Sequence, residues 1–271
     1  MTTPSDMLRQ GKLTEAIAAT TDIVKATPKG LEHRWFLAEL LVIAGELERA
    51  DKQLDALLAL DPRAAVAVTP VRQLIRAEAA RRQFFDEGRI PELLDGASAA
   101  VRSRLDAFVS VRDGNRVAAG DVVATAEIAR PALPGTITSA GVKRDFEDFR
   151  DLDDVTADVF EVLTYTGKYY WIEMNRVDVV EFIAPERPLD LVWRKARMVV
   201  RDAFDAEVHL PAIYGTVSGA DDDARLGRRT NWIGDEGEAV VGVGRRSYVM
   251  NGEDEVDIMA IESISFSNQN G

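Results

Sequence analysis

Residues 31–62, LEHRWFLAELLVIAGELERADKQLDALLALDP, are predicted to form two helices packed back to back. The first is apolar on almost every side, whereas the second has an apolar face and a charged face. Gly45 can take the left-handed conformation that ends the first helix, and Asp61-Pro62 stops the second. Because a helix that is apolar all round must be covered on more than one side, this hairpin cannot be stable alone.

The residues that turn and end these helices recur along the chain. A glycine, an alanine five residues later and a proline seventeen residues later occur three times, at intervals of 34 and 69 residues. A 34-residue period is typical of tetratricopeptide repeats, in which glycine makes the turn and alanine lets two helices approach closely. The three sets are Gly11, Ala16 and Pro28; Gly45, Ala50 and Pro62; and Gly114, Ala119 and Pro131. A tetratricopeptide-like helical array is therefore predicted, with a degenerate copy before the third set.

The remaining helices are predicted from their start signals. Residues 5–27 supply the first hairpin. Thr69-Pro70 has the cap residue and proline that often begin a helix, and Pro91 is predicted to open another helix that continues to about Val111. A last helix is expected over residues 116–128.

After Pro134-Gly135 the helical period disappears, so residues 1–134 and 135–271 are predicted to be two domains of an α+β protein. Residues 137–154 are polar and turn-rich, and we interpret them as the junction. Short runs of threonine, valine, isoleucine and aromatic residues then favour a mainly antiparallel β domain with a small barrel-like form. Residues 215–238 are expected to be a long polar loop. The predicted strands are residues 159–165, 168–174, 177–183, 191–200, 207–214, 240–250 and 258–266.

Composition and charge exclude several classes of protein. The 271 residues contain no cysteine, which removes disulfides and thiolate chemistry and fits a reducing compartment. The net charge of −13 is concentrated in the second half, since residues 1–140 carry 18 Lys+Arg and 19 Asp+Glu, whereas residues 141–271 carry 15 and 27. This acidity argues against a nucleic-acid partner for the second half. No apolar export signal or membrane-spanning run is evident, so neither export nor a membrane partner is predicted.

Several phrases of the sequence carry a family resemblance. They occur in order from about residue 30: HRWFLAELL, ADKQLDALLALDP, RQLIRAEAARRQFF, FEDFRDLDD, TGKYYWI and ERPLDLVWRKAR. The chain resembles the ImpE family, also called TagJ or SciE-type proteins, which are accessory components encoded with bacterial type VI secretion systems. The resemblance implies a cytoplasmic, non-enzymatic protein that binds the small subunit of the contractile sheath and influences sheath disassembly by the ClpV ATPase. It implies no catalytic residues and assigns no binding residues.

The helical half offers five candidate partner-binding residues. Stacked helical hairpins form a concave face that takes extended peptides or amphipathic helices, and the repeat frame puts Trp35, Glu39 and Val42 on or near this face. Trp35 is alternatively a core residue. Arg72 and Arg76, four residues apart, are predicted either to pair with acidic residues of a partner or to form a solvated face.

The second half offers two more aromatic candidates. In KYYW, Tyr170 is expected on the opposite strand face from its two neighbours and is a candidate for a partner-binding patch. Trp232 lies in a polar loop and either anchors this loop or is exposed for a partner. The carboxylates of residues 151–154 and 221–223 could bind a cation, but neither group has the spacing of a calcium loop, so no metal or cofactor is predicted.

Enzyme hypotheses have little support. The two histidines, His33 and His209, lie in a predicted helix and a predicted strand, and residues 215–219, GTVSG, lack the spacing of a nucleophile elbow. A phosphate-binding loop is absent, and Gly242-Val243-Gly244 is not a dinucleotide fingerprint. A hydrolase that uses carboxylates such as Asp153 and Glu161 and a general peptide-binding scaffold unrelated to secretion are the alternatives.

Overall fold

The first half of the described chain is helical. In the computed structural model, which describes residues 2–215 and 220–267, helices end near Ala129 and strands begin at Gly135, apart from one short later helix. Within these residues, no helix combines the length and the apolarity needed to cross a membrane. The helices are α1 (Pro4–Arg9), α2 (Leu13–Ala26), α3 (Leu31–Ala44), α4 (Leu47–Leu60), α5 (Ala65–Glu87), α6 (Ala99–Arg112), α7 (Arg116–Ala129) and α8 (Asp222–Arg225).

The recurring glycines and alanines have the roles that the sequence predicts. Gly11, Gly45 and Gly114 have φ values of +83°, +86° and +81°, the left-handed region in which a side chain is disfavoured. The three alanines that follow them are completely buried. These positions join α1 to α2, α3 to α4 and α6 to α7, so each set marks one packed helical hairpin.

Two helix starts differ from the prediction. Helix α5 begins at Ala65 and includes Pro70 in its second turn, where the carbonyl that loses its donor belongs to Val66, a residue with 86% exposure that water can reach. Helix α6 begins not at Pro91 but after Ser98, whose hydroxyl accepts the amide proton of Val101. Glu92 instead hydrogen-bonds to the edge of the β-sheet, and the chain bends at residues 94–96 before α6 begins.

The second half is built from antiparallel strand pairs. The strands are β1 (Gly135–Ser139), β2 (Val142–Phe146), β3 (Phe149–Asp151), β4 (Val159–Leu163), β5 (Tyr169–Glu173), β6 (Val177–Phe182), β7 (Trp193–Val200), β8 (Phe204–Pro211), β9 (Thr230–Ile233), β10 (Val241–Gly244), β11 (Ser247–Met250), β12 (Asp254–Asp257) and β13 (Ile261–Phe266). Eight of them form one sheet in the order β2-β1-β13-β6-β7-β8-β4-β5, and smaller sheets pair β9 with β10 and join β12, β11 and β3.

The structure corrects three expectations about this half. The sheet remains open, because its end strand β5 is bonded on its outer edge by the backbone of Glu92, so the barrel-like form was wrong. The supposed junction at residues 137–154 contains most of β1 and all of β2 and β3. The strand predicted over residues 240–250 is two strands, because the chain turns at Gly244 with φ of +100°.

One apolar core crosses from the helices to the sheet. Phe84 of α5 stacks on Phe108 of α6 with 4.0 Å between ring centroids, and its edge also meets Trp171 of β5 at 4.9 Å. Residues of both halves belong to this single buried cluster. The division into domains at residues 134 and 135 stays a prediction, although the change from helix to strand occurs close to it.

We expect Ala50→Leu to lower the free energy of unfolding by about 1–3 kcal/mol, because three additional carbon atoms must enter the closed interface between α3 and α4. The matched control is Ala59→Leu on the exposed side of the same helix, which should change this free energy by no more than about 0.5 kcal/mol. Urea unfolding of both variants measures the difference, and equal midpoints would contradict the close packing at Ala50.

Candidate partner-binding site

The predicted concave face of α3 is covered by the chain's own second half. Glu39 and Val42 are 5% and 4% exposed, whereas Trp35 is half-buried. The cover includes residues 184–192, here called the covering segment, which places Leu189 and Val192 in the same buried cluster as the inner residues of α3; α8 also contacts this helix. A partner could therefore reach Glu39 and Val42 only if the covering segment moved away.

Internal hydrogen bonds shape the covering segment. Pro188 begins a short 3-10 turn, and the carboxylate of Asp190 accepts the backbone N–H groups of Glu186 and Arg187 at 2.8 and 2.9 Å. The carbonyl of Val192 accepts the backbone N–H of Ala212, which fixes the end of the segment to the sheet. The turn is thus preformed by its own polar groups and contacts α3 through apolar side chains.

Glu39 is an ionisable group enclosed by this contact. Burial raises the pKa of Glu39 to about 7, and the positive charge of Arg187 and a hydrogen bond with the side chain of Trp35 oppose this rise only in part. Among the described residues, no hydrogen-bond donor reaches Glu39 Oε1. A buried acceptor without a donor lowers the stability of the folded state. The covering segment therefore leaves Glu39 Oε1 of α3 without a hydrogen bond from any described residue.

The two candidate arginines have different surroundings. Arg72 makes ion pairs within the helical half, with Asp51 at 2.7 Å and Asp55 at 2.6 Å, so its charge is already used between α5 and α4. Arg76 is exposed one turn further along α5. It lies beside Gly167, in the turn between β4 and β5, and its charge faces solvent.

The two aromatic candidates lie on separate sheets. Tyr170 is half-buried on β5, between the backbone of Glu92 and the ammonium of Lys168, which lies 6.0 Å from its ring centroid. Trp232 is 40% exposed on β9 and meets Tyr214 edge-on at 5.6 Å. The structure therefore distributes the seven predicted residues over α3, α5, β5 and β9 instead of bringing them together in one site.

A buried network of charges, not found by sequence reasoning, joins α5 to the sheet. Arg81 of α5 donates two hydrogen bonds to the carboxylate of Glu161 on β4, at 2.8 and 3.0 Å. Arg246 contacts the same carboxylate and also pairs with Asp151 of β3 at 2.6 Å. The hydroxyl of Tyr169 donates to Glu161 at 2.6 Å. All five side chains are at most 4% exposed, so the network is closed to solvent.

The charges of this network set the protonation of its acids. Burial alone would raise the pKa of Glu161, but Arg81 and Arg246 lower it to about 2. Asp153 differs, because burial and the neighbouring charge of Asp151 raise its pKa to about 7. The sequence signal for this network was an arginine at an inward position of α5, four residues after buried Ala77 and three residues before buried Phe84.

The carboxylates considered as catalytic or cation-binding groups bind protein atoms. Asp153 accepts the backbone N–H groups of Val155 and Gly242, at 2.8 and 2.9 Å. Asp221 caps α8, and Asp222 accepts the backbone N–H of Thr14 at 2.9 Å. No group of three potential metal ligands was found in residues 2–215 and 220–267. Most of the GTVSG stretch, residues 216–219, lies outside the described residues.

An apolar groove lies on the surface between α6, α7 and the sheet. Its volume is about 380 Å³, and its lining is mainly small or apolar. Ser98 and Glu173, which hydrogen-bond at 2.8 Å, are among its polar lining residues. The apolar lining includes Ala99, Ala100, Ala126, Ala129, Phe149 and Met174. This open groove is a second surface at which an apolar segment could dock.

Three comparisons relate the chain to known proteins. A family model described as ImpE protein matches residues 143–265. The type VI secretion system accessory component TagJ of Pseudomonas aeruginosa is 33% identical over 245 residues, which cover 90% of this chain and 84% of that protein. The X-ray crystal structure of a protein from Vibrio parahaemolyticus superposes with a TM-score of 0.88 at 24% identity, over 97% of each chain. This structural likeness supports the fold alone.

We expect Glu161→Gln to lower the free energy of unfolding by about 3–5 kcal/mol, because it leaves two buried arginines short of countercharge. The control is Glu181→Gln, which removes one partner of an exposed ion pair with Arg197 and should leave the unfolding midpoint unchanged. Urea unfolding at pH 7 compares the two variants. A Glu161→Gln protein as stable as its parent would contradict the assigned strength of the network.

We expect Glu39→Gln to reduce the loss of stability on raising the pH. Because the pKa of Glu39 is raised in the folded protein, the folded state holds a proton that the unfolded chain releases between about pH 4.5 and 7, so stability falls as pH rises through this window. The variant should lose less stability than its parent between pH 5 and 8, by at most about 3 kcal/mol.

Urea midpoints at the two pH values give this difference. Asp153 continues to contribute to the pH dependence in both proteins, because its pKa is also raised to about 7. Glu32→Gln, at an exposed position of the same helix, is the control and should behave as the parent does. Identical pH dependence of the Glu39→Gln protein and its parent would contradict a raised pKa of Glu39 in the folded protein.

Proposed function

This chain belongs to the ImpE family, and on this premise we propose that it is a non-enzymatic accessory protein of a bacterial type VI secretion system. We further propose that it acts in the cytoplasm, binds the small subunit of the contractile sheath and influences sheath disassembly by the ClpV ATPase. The observation that carries the proposal is the identity of 33% with an accessory component of this system over 90% of the chain.

The helical half is the proposed docking surface. Helical hairpins present faces that suit an amphipathic helix or an extended peptide, and the charge of this half is nearly balanced, unlike that of the acidic second half. Of the proposed contact residues, Trp35 and Arg76 are reachable in the present conformation, as is Trp232 on the second half. Glu39 and Val42 require movement of the covering segment.

The side-chain chemistry supports a binding role over the hydrolase alternative. Glu161 is held between two arginines, and Asp153 is bound to backbone amides, so neither carboxyl is presented to solvent. Hydrolysis by a carboxylate pair requires both groups at a site that substrate can enter. The open surfaces of the described residues include the half-buried end of α3 and the groove beside α6 and α7.

Calorimetric titration with the purified small sheath subunit, followed by its isolated helices, tests the proposal. We expect saturable binding that Trp35→Ala weakens about tenfold or more, as for an aromatic anchor of an interface. Arg76→Glu should weaken binding less and in a salt-dependent way. Arg144→Glu is the matched control, because it makes the same charge change on the exposed strand β2.

Circular dichroism establishes that each variant is folded before its titration. The absence of any heat change at several temperatures, for the intact subunit and for each helix, would reject direct contact with the small sheath subunit. Equal weakening by Arg76→Glu and Arg144→Glu would show that net charge alone controls binding, which contradicts a site on the helical half.

A further inference from the structure

We propose that the covering segment is an internal ligand of the helical half, held in a peptide-binding site that a partner segment with a basic residue two positions before a leucine can occupy. The inference rests on the proposed function for the origin of this partner, the small sheath subunit. The contact between α3 and residues 184–192 defines the site, which can be tested without the subunit.

The covering segment has the properties of a short bound peptide. Its apolar contacts come from Leu189 and Val192, which are 2% and 7% exposed, whereas its first four residues, 184–187, are exposed. Its hydrogen bonds are made within the turn, through Asp190, and to Ala212, which directly follows β8. The turn can therefore keep its shape away from α3, and what holds it there is the burial of a few apolar side chains.

The fit of this internal ligand is incomplete. Glu39 Oε1 lies beneath the segment and, among the described residues, no donor satisfies it. The guanidinium of Arg187 lies close enough to influence Glu39, but it is 46% exposed and pairs at 3.9 Å with Asp190 of its own turn. A segment whose cation reaches Glu39 while its leucine takes the place of Leu189 would meet a requirement that the tethered segment leaves unmet.

These features define the ligand that the site recognises. An apolar side chain fills the position of Leu189, and an arginine or lysine two residues earlier provides the cation for Glu39, as in the order Arg187-Pro188-Leu189. The covering segment has a high effective concentration at the site because it is part of the same chain. A partner segment must therefore bind α3 more strongly than the covering segment does, or bind when the contact of the covering segment has been weakened. The covering segment thereby sets a threshold for binding.

The first test uses a synthetic peptide of residues 184–192, APERPLDLV, titrated by fluorescence anisotropy into the full chain. Leu189→Ala weakens the internal copy, so this variant should bind the peptide at least about tenfold more tightly than the parent does. Asp190→Ala, which removes the two hydrogen bonds that the carboxylate accepts in the turn and leaves Leu189 intact, is a second route to the same gain if Leu189→Ala fails to fold. Failure of the peptide to bind either folded variant would overturn the proposal.

A double-mutant cycle tests the role of Glu39. In the Leu189→Ala chain, an Arg187→Ala peptide should bind several-fold more weakly than the unchanged peptide. This difference should disappear when the chain also carries Glu39→Gln. If Arg187→Ala weakens binding equally with either residue at position 39, then Glu39 does not receive the cation and the assigned ligand chemistry is wrong.

The small sheath subunit provides the last arm and separates this inference from the proposed function. The chain has no cysteine, so Leu189→Cys is a single thiol whose rate of labelling reports opening of the cover. Addition of the subunit should raise this rate, whereas a thiol in the sheet core, Ile264→Cys, should be unaffected. Binding of the subunit without faster labelling supports the proposed function and overturns the inference. If the subunit fails to bind, the proposed function is rejected, and the peptide titrations alone decide whether the internal ligand exists.

Discussion

The fold depends on charges that cannot be separated once they are buried. Arg81, Glu161, Arg246 and Asp151 come from a helix and from three places in the second half, and each would be left without countercharge if its element shifted. Apolar packing tolerates small displacements, but a carboxylate shared by two arginines at hydrogen-bond distance does not. The network therefore fixes the orientation of α5 on the sheet, and with it the positions of the hairpins that α5 supports.

Short-range signals predicted much of the helical half. The turn glycines can be recognised from their spacing because a positive φ favours glycine, and the buried alanines because a close approach of two helices favours a small side chain. The strands β1 to β3 were missed because few of their side chains are apolar; β2 has a single buried residue, Phe146. The helix start proposed at Pro91 failed for a long-range reason, since Glu92 is bonded to a strand almost eighty residues later in the sequence.

The candidate site was less predictable than the fold. Periodicity assigned Trp35, Glu39 and Val42 to one helical face, but no local pattern indicates that residues 184–192 return to cover this face. The buried arginines pose the same difficulty, because an arginine in a helix is normally read as a solvated residue until its partners on distant strands are known. The spacing of Arg81 from Ala77 and Phe84 is the one local signal that could have indicated its burial, and this spacing does not identify Glu161 as its partner.

The apolar cluster shared by Phe84, Phe108 and Trp171 also constrains how such a protein can change over evolutionary time. The buried faces of the two halves pack against each other in one apolar cluster. A gene that combined the helical half of one ancestor with the strands of another would therefore encode inner faces that do not fit together. The two halves are expected to be inherited together and to vary in concert where they touch. Sequence diversity can accumulate freely only on the outer faces of the two halves.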